Sequence, residues 1–432
     1  MKIRWGNEDM DIFKRFGLVI FSVLFLFIIS CSTGYAFHSG GVGECVGCHN
    51  IHNPAAGAPY LLIGLDQSST CLLCHENQSD IGPNSYHIST AESGMPSGVP
   101  PKQRTPGGDF GWLKKSYIFT VGNTRIVEPG ERHGHNIVAV NKNYFSDVVN
   151  NTSPGGSFPS SNLSCISCHD PHGKYRRLGN GTIATTGAPI RESGSYNNSP
   201  DPVSGQSAVG VYRLLGGIGF RNSKTGNTSF TVNPPIAVAP SNYNRAEDSA
   251  QTRVAYGDGM TQWCATCHNN MHNGTGHEHP LNETIGSERA NRYNAYVKTG
   301  DMTGKQSSSY LSLVPYEENS TNYQTLKTIA SQSGTSPLSG PNSNAKVMCL
   351  TCHRAHASGW KNITRWNNST WNSLSYIVYN GFWPGIDSTP AKPGLAMGRL
   401  RAETKAAYYD RPETLYAKNQ EVLCNKCHKI PE

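Results

Sequence analysis

The segment Cys165-Ile166-Ser167-Cys168-His169 decides how this chain folds. It is a C-x-x-C-H motif, in which two cysteines separated by two residues are followed directly by a histidine. The motif occurs six times in 432 residues and uses all but one of the 13 cysteines. In chain order, the motifs consist of Cys45, Cys48 and His49; Cys71, Cys74 and His75; Cys165, Cys168 and His169; Cys264, Cys267 and His268; Cys349, Cys352 and His353; and Cys424, Cys427 and His428.

This motif is the attachment signature of c-type haem. The two thiols form thioethers with the vinyl groups of haem, and the adjacent histidine becomes the proximal ligand of the iron. A single copy would also fit half of a zinc ribbon, and paired cysteines would fit a disulfide framework. Neither alternative explains a histidine at the same offset in every copy. The sequence therefore predicts six haem c groups.

The composition is poor in the side chains that build a protein core. Hydrophobic residues make up 36% of the chain and charged residues 16%, and there are 45 glycines and 26 prolines. Such a chain buries too little apolar surface to offset its conformational entropy. Six porphyrin rings would supply the missing apolar bulk. We therefore predict a mostly irregular, coil-like polypeptide, with few short helices and strands, wrapped around a chain of haems.

Local patterns predict only short regular elements. Helices are expected at about 286–298 and 399–409, and strands over Lys115–Val121 and Asn136–Val140. Clusters of glycine and proline make the stretches between the motifs rich in turns. The haem motifs run almost to the last residue without a domain boundary between them. A single haem-bearing domain over residues 37–432 is therefore expected.

The N-terminus is typical of an export signal. A basic pair precedes an apolar stretch over 16–29, and a small-x-small cleavage site ends at Ala36, so residues 1–36 form the predicted signal peptide. Met10 is an alternative start. Cleavage after Ala36 would remove Cys31, whose surroundings resemble a bacterial lipoprotein box, and lipidation at Cys31 is the alternative. No later apolar run is long enough to span a bilayer. We expect an exported protein at the cell surface or outside the cell.

The formal net charge of +7 does not indicate a nucleic-acid partner. Each haem carries two propionates, so six haems would offset the basic excess. The lysines and arginines are better explained as partners of these propionates than as a phosphate-binding face.

Ten histidines remain once the six proximal ones are set aside. With so many available, histidine as the second ligand at every iron is simpler than methionine at some irons, and it implies low reduction potentials. Three of the ten lie three residues after a proximal histidine, where they point away from their own haem and can reach a neighbouring one. Three more lie in turn-like contexts that could present a distal ligand. These six distal candidates are His52, His172, His356, His87, His135 and His279.

The other four histidines have weaker claims. His38 and His272 are reserve candidates, whereas His133 and His277 are expected to be exposed polar residues beside better candidates. The alternative role for any of the six candidates is to donate a hydrogen bond to a haem propionate.

Several segments resemble a known family. They run from Phe37 to Cys45, from Ser85 to Thr90, from Cys168 to Arg177, from Cys352 to Gly359 and from Cys424 to His428. Together they are similar to the OmcS-like outer-surface cytochromes, which are six-haem c-type cytochromes of metal-reducing bacteria that polymerise into extracellular filaments. The likeness extends over essentially the whole chain after residue 36.

The resemblance implies a continuous row of haems that passes from subunit to subunit in a head-to-tail homopolymer. It implies electron transport to other c-type cytochromes and to extracellular acceptors such as metal oxides, and no enzymatic activity. It also implies that His52 completes the haem of the fifth motif in the neighbouring subunit.

Two other functions compete with this hypothesis. A multihaem reductase needs one iron with an open position, often marked by a motif that has lost its histidine, and no motif here is altered. A monomeric periplasmic shuttle needs few haems. Both alternatives are therefore disfavoured.

Overall fold

The structure is a computed structural model, and the residues that it describes are 45–77, 87–171, 176–178, 183–184, 208–209, 215–238, 254–271, 282–299, 315–331, 341–367, 393–410 and 427. Within these stretches the helices and strands are few and short, which confirms the predicted, mostly irregular fold. None of the helices in them is both long and apolar enough to cross a bilayer. The predicted signal peptide, residues 1–36, lies outside the described residues.

The helices are short, and several consist of the haem motif alone. They are α1 (Cys45–Cys48), α2 (Gln67–His75), α3 (Cys165–Cys168), α4 (Met260–Cys264), α5 (Gly286–Thr299), α6 (Tyr323–Ser331), α7 (Cys349–Cys352) and α8 (Arg401–Ala407). Single 3-10 turns lie at Pro59–Leu61, Glu92–Gly94, Phe110–Lys114, Gly130–His133, Val140–Lys142, Ser160–Asn162, Lys361–Ile363 and Pro393–Leu395.

The strands form small separate sheets. They are β1 (Glu76–Asn77), β2 (Ser89–Thr90), β3 (Tyr117–Val121), β4 (Thr124–Glu128), β5 (Arg176–Leu178), β6 (Ile183–Ala184), β7 (Ala208–Val209), β8 (Ala237–Val238) and β9 (Ala255–Tyr256). Strands β1 and β2 are parallel, whereas β3 with β4, β5 with β6 and β7, and β8 with β9 are antiparallel.

The third haem motif shows how a one-turn helix arranges its ligands. Ser164 and Ser167 form a capping box, in which the Ser164 N–H donates to Ser167 Oγ over 3.0 Å. Because residues three apart share one face of a helix, the turn presents both cysteines to the same side. His169 then leaves in an extended conformation, while its N–H donates to the Cys165 carbonyl over 2.9 Å. One turn thus fixes the backbone positions of all three residues of the motif.

A β-hairpin confirms most of the predicted strand Lys115–Val121. Strands β3 and β4 pair around the two-residue turn Gly122-Asn123. Gly122 has φ +58°, a conformation that two-residue hairpin turns need and that residues with a Cβ rarely adopt.

The other predicted strand, Asn136–Val140, is wrong. Its only β-pairing is an isolated bridge between Ala139 and Tyr144. Ile137 and Ala139 are buried in a small cluster with Tyr144. The alternation of apolar residues therefore reflects local packing and not a place in a sheet.

Both predicted helices are confirmed. The segment 286–298 corresponds to α5, and 399–409 contains α8. Helix α8 begins later than predicted because the Leu400 N–H donates to the Glu403 carboxylate over 3.0 Å and so caps the helix. It ends early because Tyr409 and Asp410 adopt positive φ angles.

The buried side chains of the described residues form four separate clusters, and three of them pack against cysteines of the haem motifs. The largest contains aromatic residues and packs against Cys352 and Cys427 of the fifth and sixth motifs. Its aromatic members are Trp112, Tyr117, Phe119, Tyr293, Tyr316, Trp360, Trp366 and Tyr408. A second cluster, around Trp263, packs against Cys168 and Cys264. The protein core is therefore distributed along the motifs, as expected if haems complete it.

The prediction that His133 is an exposed polar residue is wrong. His133 is 0% exposed, and its Nε2 lies 2.7 Å from Glu128 Oε1. Arg399 also binds Glu128 and lies over the Tyr117 and Trp360 rings, 4.2 and 4.5 Å from their centroids. These buried charges stabilise the fold only as a complete set, because a charge without its partner is costly in the interior.

Candidate haem sites

The first and fifth proximal histidines are held in the same way. His49 Nδ1 lies 2.8 Å from the Tyr60 carbonyl, and His353 Nδ1 lies 3.0 Å from the Asn362 carbonyl. Tyr60 and Asn362 both have positive φ, +57° and +60°, so the same kind of turn supplies each acceptor. A carbonyl can only accept, so Nδ1 carries the proton and Nε2 keeps its lone pair for a metal.

At the fourth motif, the proximal histidine and one distal candidate, His135, face each other. His268 Nδ1 donates to the Pro154 carbonyl over 2.8 Å, and His135 Nδ1 donates to the Ala355 carbonyl over 2.6 Å. The two imidazole centroids are 6.2 Å apart. A metal–imidazole bond is about 2 Å long, so two rings on opposite sides of one iron have centroids about 6 Å apart. Burial lowers the pKa of His135 to about 4, which keeps its ring neutral for ligation.

A second pair lies at the third motif. The His169 and His356 centroids are 6.3 Å apart, and Phe110 stacks on His356 at 4.7 Å with an interplanar angle of 23°. Burial, and then the neighbouring His169, lower the pKa of His356 to about 3. The stacked ring and the neutral imidazole suit a distal ligand that must keep one orientation. The distal candidate His356 therefore lies opposite the proximal histidine of the third motif.

The remaining candidates are placed as follows. His87 is buried and follows the second motif closely, since the N–H of the next residue, Ile88, donates to the His75 carbonyl over 2.9 Å. His52 is exposed. The other predicted ligands and alternatives lie outside the described residues; these are His172, His279, Cys424, His428, His38, His272 and His277.

Motifs that follow one another in the sequence also lie next to each other in the structure. The Cys71 thiol hydrogen-bonds to Cys165, and the Cys264 thiol hydrogen-bonds to Cys349. Tyr316 Oη lies 3.8 Å from Cys427 Sγ. Two further pairs of thiols are close enough that one raises the pKa of the other, in addition to burial: Cys48 with Cys74, and Cys168 with Cys267. Every consecutive pair of motifs from the first to the fifth is therefore in contact or adjacent.

Burial also sets the charge of the thiols. It raises the pKa of Cys267 to about 11, so this thiol is neutral at ordinary pH. A hydrogen bond from Cys264 is the main cause that lowers the pKa of Cys349, to about 7. Aromatic side chains of two buried clusters pack against motif cysteines, and such apolar surroundings fit a porphyrin ring.

The comparison with known proteins decides the family. No protein-family model matches this chain. The C-type cytochrome OmcS of Geobacter sulfurreducens is 48% identical over 422 residues, which cover 93% of this chain and 96% of that protein. The chain belongs to the OmcS family of c-type cytochromes. The resemblance noted from the sequence is confirmed, and haem c is the cofactor that such cytochromes carry.

Two solved structures agree with this assignment to the OmcS family. The outer membrane cytochrome S filament from Geobacter sulfurreducens matches with a TM-score of 0.78 and 47% identity. The OmcS nanowires from the same organism match with a TM-score of 0.77 and 47% identity. Each match covers 90% of this chain and 99% of the solved chain.

Several contributing residues could not be found from the sequence. The carbonyls that orient the proximal rings belong to Tyr60, Pro154 and Asn362, and any residue type has a carbonyl. Tyr316 bridges toward the sixth motif, but nothing in its local sequence marks it. Two signals in the sequence were useful: the offset of three residues after a motif selected His356, and the turn-like context selected His135, and each lies opposite a proximal histidine.

Proposed function

We propose that this chain is a six-haem subunit of an extracellular cytochrome filament that carries electrons to acceptors outside the cell, such as metal oxides. The observation that supports it best is that consecutive motifs lie next to each other from the first to the fifth, combined with solved relatives that are filaments. A row of adjacent haems provides a path through the subunit, and polymerisation extends that path.

The haems would be held by the six motifs and by distal histidines. His268 and His135 would ligate the iron of the fourth motif, and His169 and His356 that of the third. His87 is proposed for the second motif, beside which it lies. His172 and His279 are proposed as ligands of the first and sixth motifs.

The chain's own residues explain why transfer of electrons is favoured over catalysis. Bound haem supplies a one-electron carrier. Where two histidines face each other, as His135 faces His268, no position is open for a substrate. Carbonyl acceptors fix the ring orientation, so little reorganisation accompanies a change of charge. We therefore propose that the protein is not an enzyme.

The pairing of His356, extended to the other histidines at the same offset, supports the intersubunit role of His52. His356 follows the fifth motif and faces His169 of the third, so it reaches back by two motifs. The same rule sends His172 of the third motif to the first. Applied to the first motif, it sends His52 out of the subunit, to the fifth motif of a neighbour, where His353 is the proximal ligand.

The surface around His52 fits such a contact. His52 is exposed, and the nearby Val46 and Ile51 are 77% and 76% exposed. Exposed apolar residues that cluster beside a ligand are typical of a surface that a partner covers. A second copy of this chain is the proposed partner.

We further propose that residues 1–36 are removed on export and that residues 37–432 form one haem-bearing domain on the outer surface. A lipid anchor at Cys31 is the less favoured alternative. Mass spectrometry of the purified protein tests the main proposal: a chain beginning at Phe37 and carrying six haems is expected. Fewer haems, or a high-spin ferric signal that marks an open iron, would favour a reductase instead.

A further inference from the structure

Two contacts between haem motifs repeat in detail. In the first, named the 2–3 joint, α2 packs on α3, and the sulfurs of Cys71 and Cys165 are close enough to hydrogen-bond as free thiols. In the second, named the 4–5 joint, α4 packs on α7, and the sulfurs of Cys264 and Cys349 are equally close. In both joints the first cysteine of an even-numbered motif meets the first cysteine of the next motif.

Each joint contains one buried hydroxyl at the same sequence offset. Ser68 and Thr261 each lie three residues before the first cysteine of the even-numbered motif. Ser68 Oγ accepts the Cys165 N–H over 3.1 Å, and Thr261 Oγ1 accepts the Cys349 N–H over 3.3 Å. Both side chains are buried. The hydroxyl therefore holds the backbone of the cysteine that binds the following haem.

The receiving motifs also match. Ser167 of the third motif and Thr351 of the fifth each accept the N–H of the residue before their helix, over 3.0 and 3.1 Å. A hydroxyl at this position inside the motif therefore makes the same contact with the residue before the helix in both. Two independent hydroxyls thus recur in each joint, although the intervening sequences do not repeat.

The hydroxyl groups of Ser68 and Thr261 also have a second polar neighbour each. The Ser68 O–H donates to Ser164 Oγ over 3.1 Å. Thr261 Oγ1 lies 3.9 Å from Cys349 Sγ. Once this sulfur is a thioether it can only accept, so Thr261 becomes the donor to it.

We propose that the 2–3 and 4–5 joints are two copies of one inter-haem connection, in which Ser68 and Thr261 are positioning residues that fix the separation of consecutive haems. The proposal rests on the six-haem function proposed above. An electron that crosses a joint leaves one iron, which is oxidised, and reaches the next, which is reduced. The rate of this step depends on a separation that the hydroxyl helps to hold.

The test uses the haem-loaded protein and compares variants that remove either the side-chain hydroxyl or the original side-chain shape. Thr261→Val keeps the shape and removes the hydroxyl, whereas Thr261→Ser keeps the hydroxyl. Loss of one hydrogen bond is expected to raise hydrogen exchange at the Cys349 amide about fivefold in Thr261→Val. Flash-induced electron exchange between haems is expected to slow in the same variant. Thr261→Ser should match the wild type in both measurements.

The control and the second variant keep the outcome clear. Thr404 is also buried, and its hydroxyl has no hydrogen-bond partner within the described part of the chain, so Thr404→Val should change neither measurement. If Thr261→Val loses haem, Ser68→Ala, read at the Cys165 amide, replaces it. Equal behaviour of Thr261→Val and Thr261→Ser overturns the proposal, whereas fewer than six haems in the wild type overturns the proposed function instead.

Discussion

Replacing Glu128 by glutamine is expected to cost about 3 kcal/mol of folding free energy at pH 7. Glu128 is 4% exposed and binds both His133 and Arg399. Burial raises the pKa of Glu128, but the Arg399 guanidinium and the hydrogen bond from His133 outweigh it and bring the pKa from 4.5 to about 2. A pKa unit equals about 1.4 kcal/mol, so this difference amounts to about 3 kcal/mol at pH 7.

The sign of the pH dependence follows from the same difference. The folded-state pKa of Glu128 lies below its unfolded value, so its stabilisation is fully present above about pH 4.5 and is lost as the pH falls through about 2. Glu128→Gln removes the carboxylate but leaves the Arg399 charge buried without its partner. The variant should therefore be less stable at pH 7 and show a smaller loss on acidification than the wild type.

Urea unfolding followed by tryptophan fluorescence is the assay, because Trp112 and Trp360 lie in the adjoining aromatic cluster. Glu288→Gln is the matched control: Glu288 pairs with Arg292 at 2.7 Å, but its side chain is 82% exposed. An exposed pair is worth only a few tenths of a kcal/mol, so this control should unfold like the wild type. A loss below about 1 kcal/mol in Glu128→Gln would refute the reasoning.

Three further outcomes are expected. His52→Ala should weaken filament formation and leave one haem in six five-coordinate; normal filaments with every haem low-spin, seen by microscopy and spectroscopy, would contradict this. Burial raises the pKa of Glu317 from 4.5 to about 8, with help from Asp258, so its stabilising effect is complete below about pH 4.5 and is lost as the pH rises through about 8. Glu317→Gln should make the midpoint temperature of thermal unfolding depend less on pH between pH 4.5 and about 8. A wild-type midpoint that does not change with pH would disprove the raised pKa of Glu317. Apoprotein made without haem should be largely disordered by circular dichroism, and a cooperative thermal transition would argue against it.

The sequence predicted the parts of this molecule that depend on local patterns. The C-x-x-C-H motifs were found from their spacing alone, and the first, third and fifth of them each form a one-turn helix. The patterns at 286–298 and 399–409 became α5 and α8. The histidine offset identified His356, because a residue beyond the motif must leave the haem that the motif binds.

The rest depended on contacts between distant residues. His133 looked like a surface residue, but its environment is completed by Arg399, 266 residues away. Asn136–Val140 had the alternation of a strand but found no strand to pair with. The sequence also could not predict which proximal histidine each distal histidine faces, since nothing near His135 in the sequence indicates His268. Long-range pairing of this kind is set by packing, which no local pattern contains.

The pairing of His356 with His169 has a consequence for how such proteins change in size. With the proposed pairings, in which the histidine after each odd-numbered motif reaches back two motifs, a pair of motifs is the smallest unit that can be inserted or deleted without leaving an iron without its second ligand. Subunits related by such events should differ by even numbers of haems. The first and last motifs of each subunit would be unchanged, so subunits of any such length could still polymerise. A longer subunit and a longer filament would then use the same contact, in which a histidine reaches a haem two motifs back, either within one chain or in the neighbouring chain.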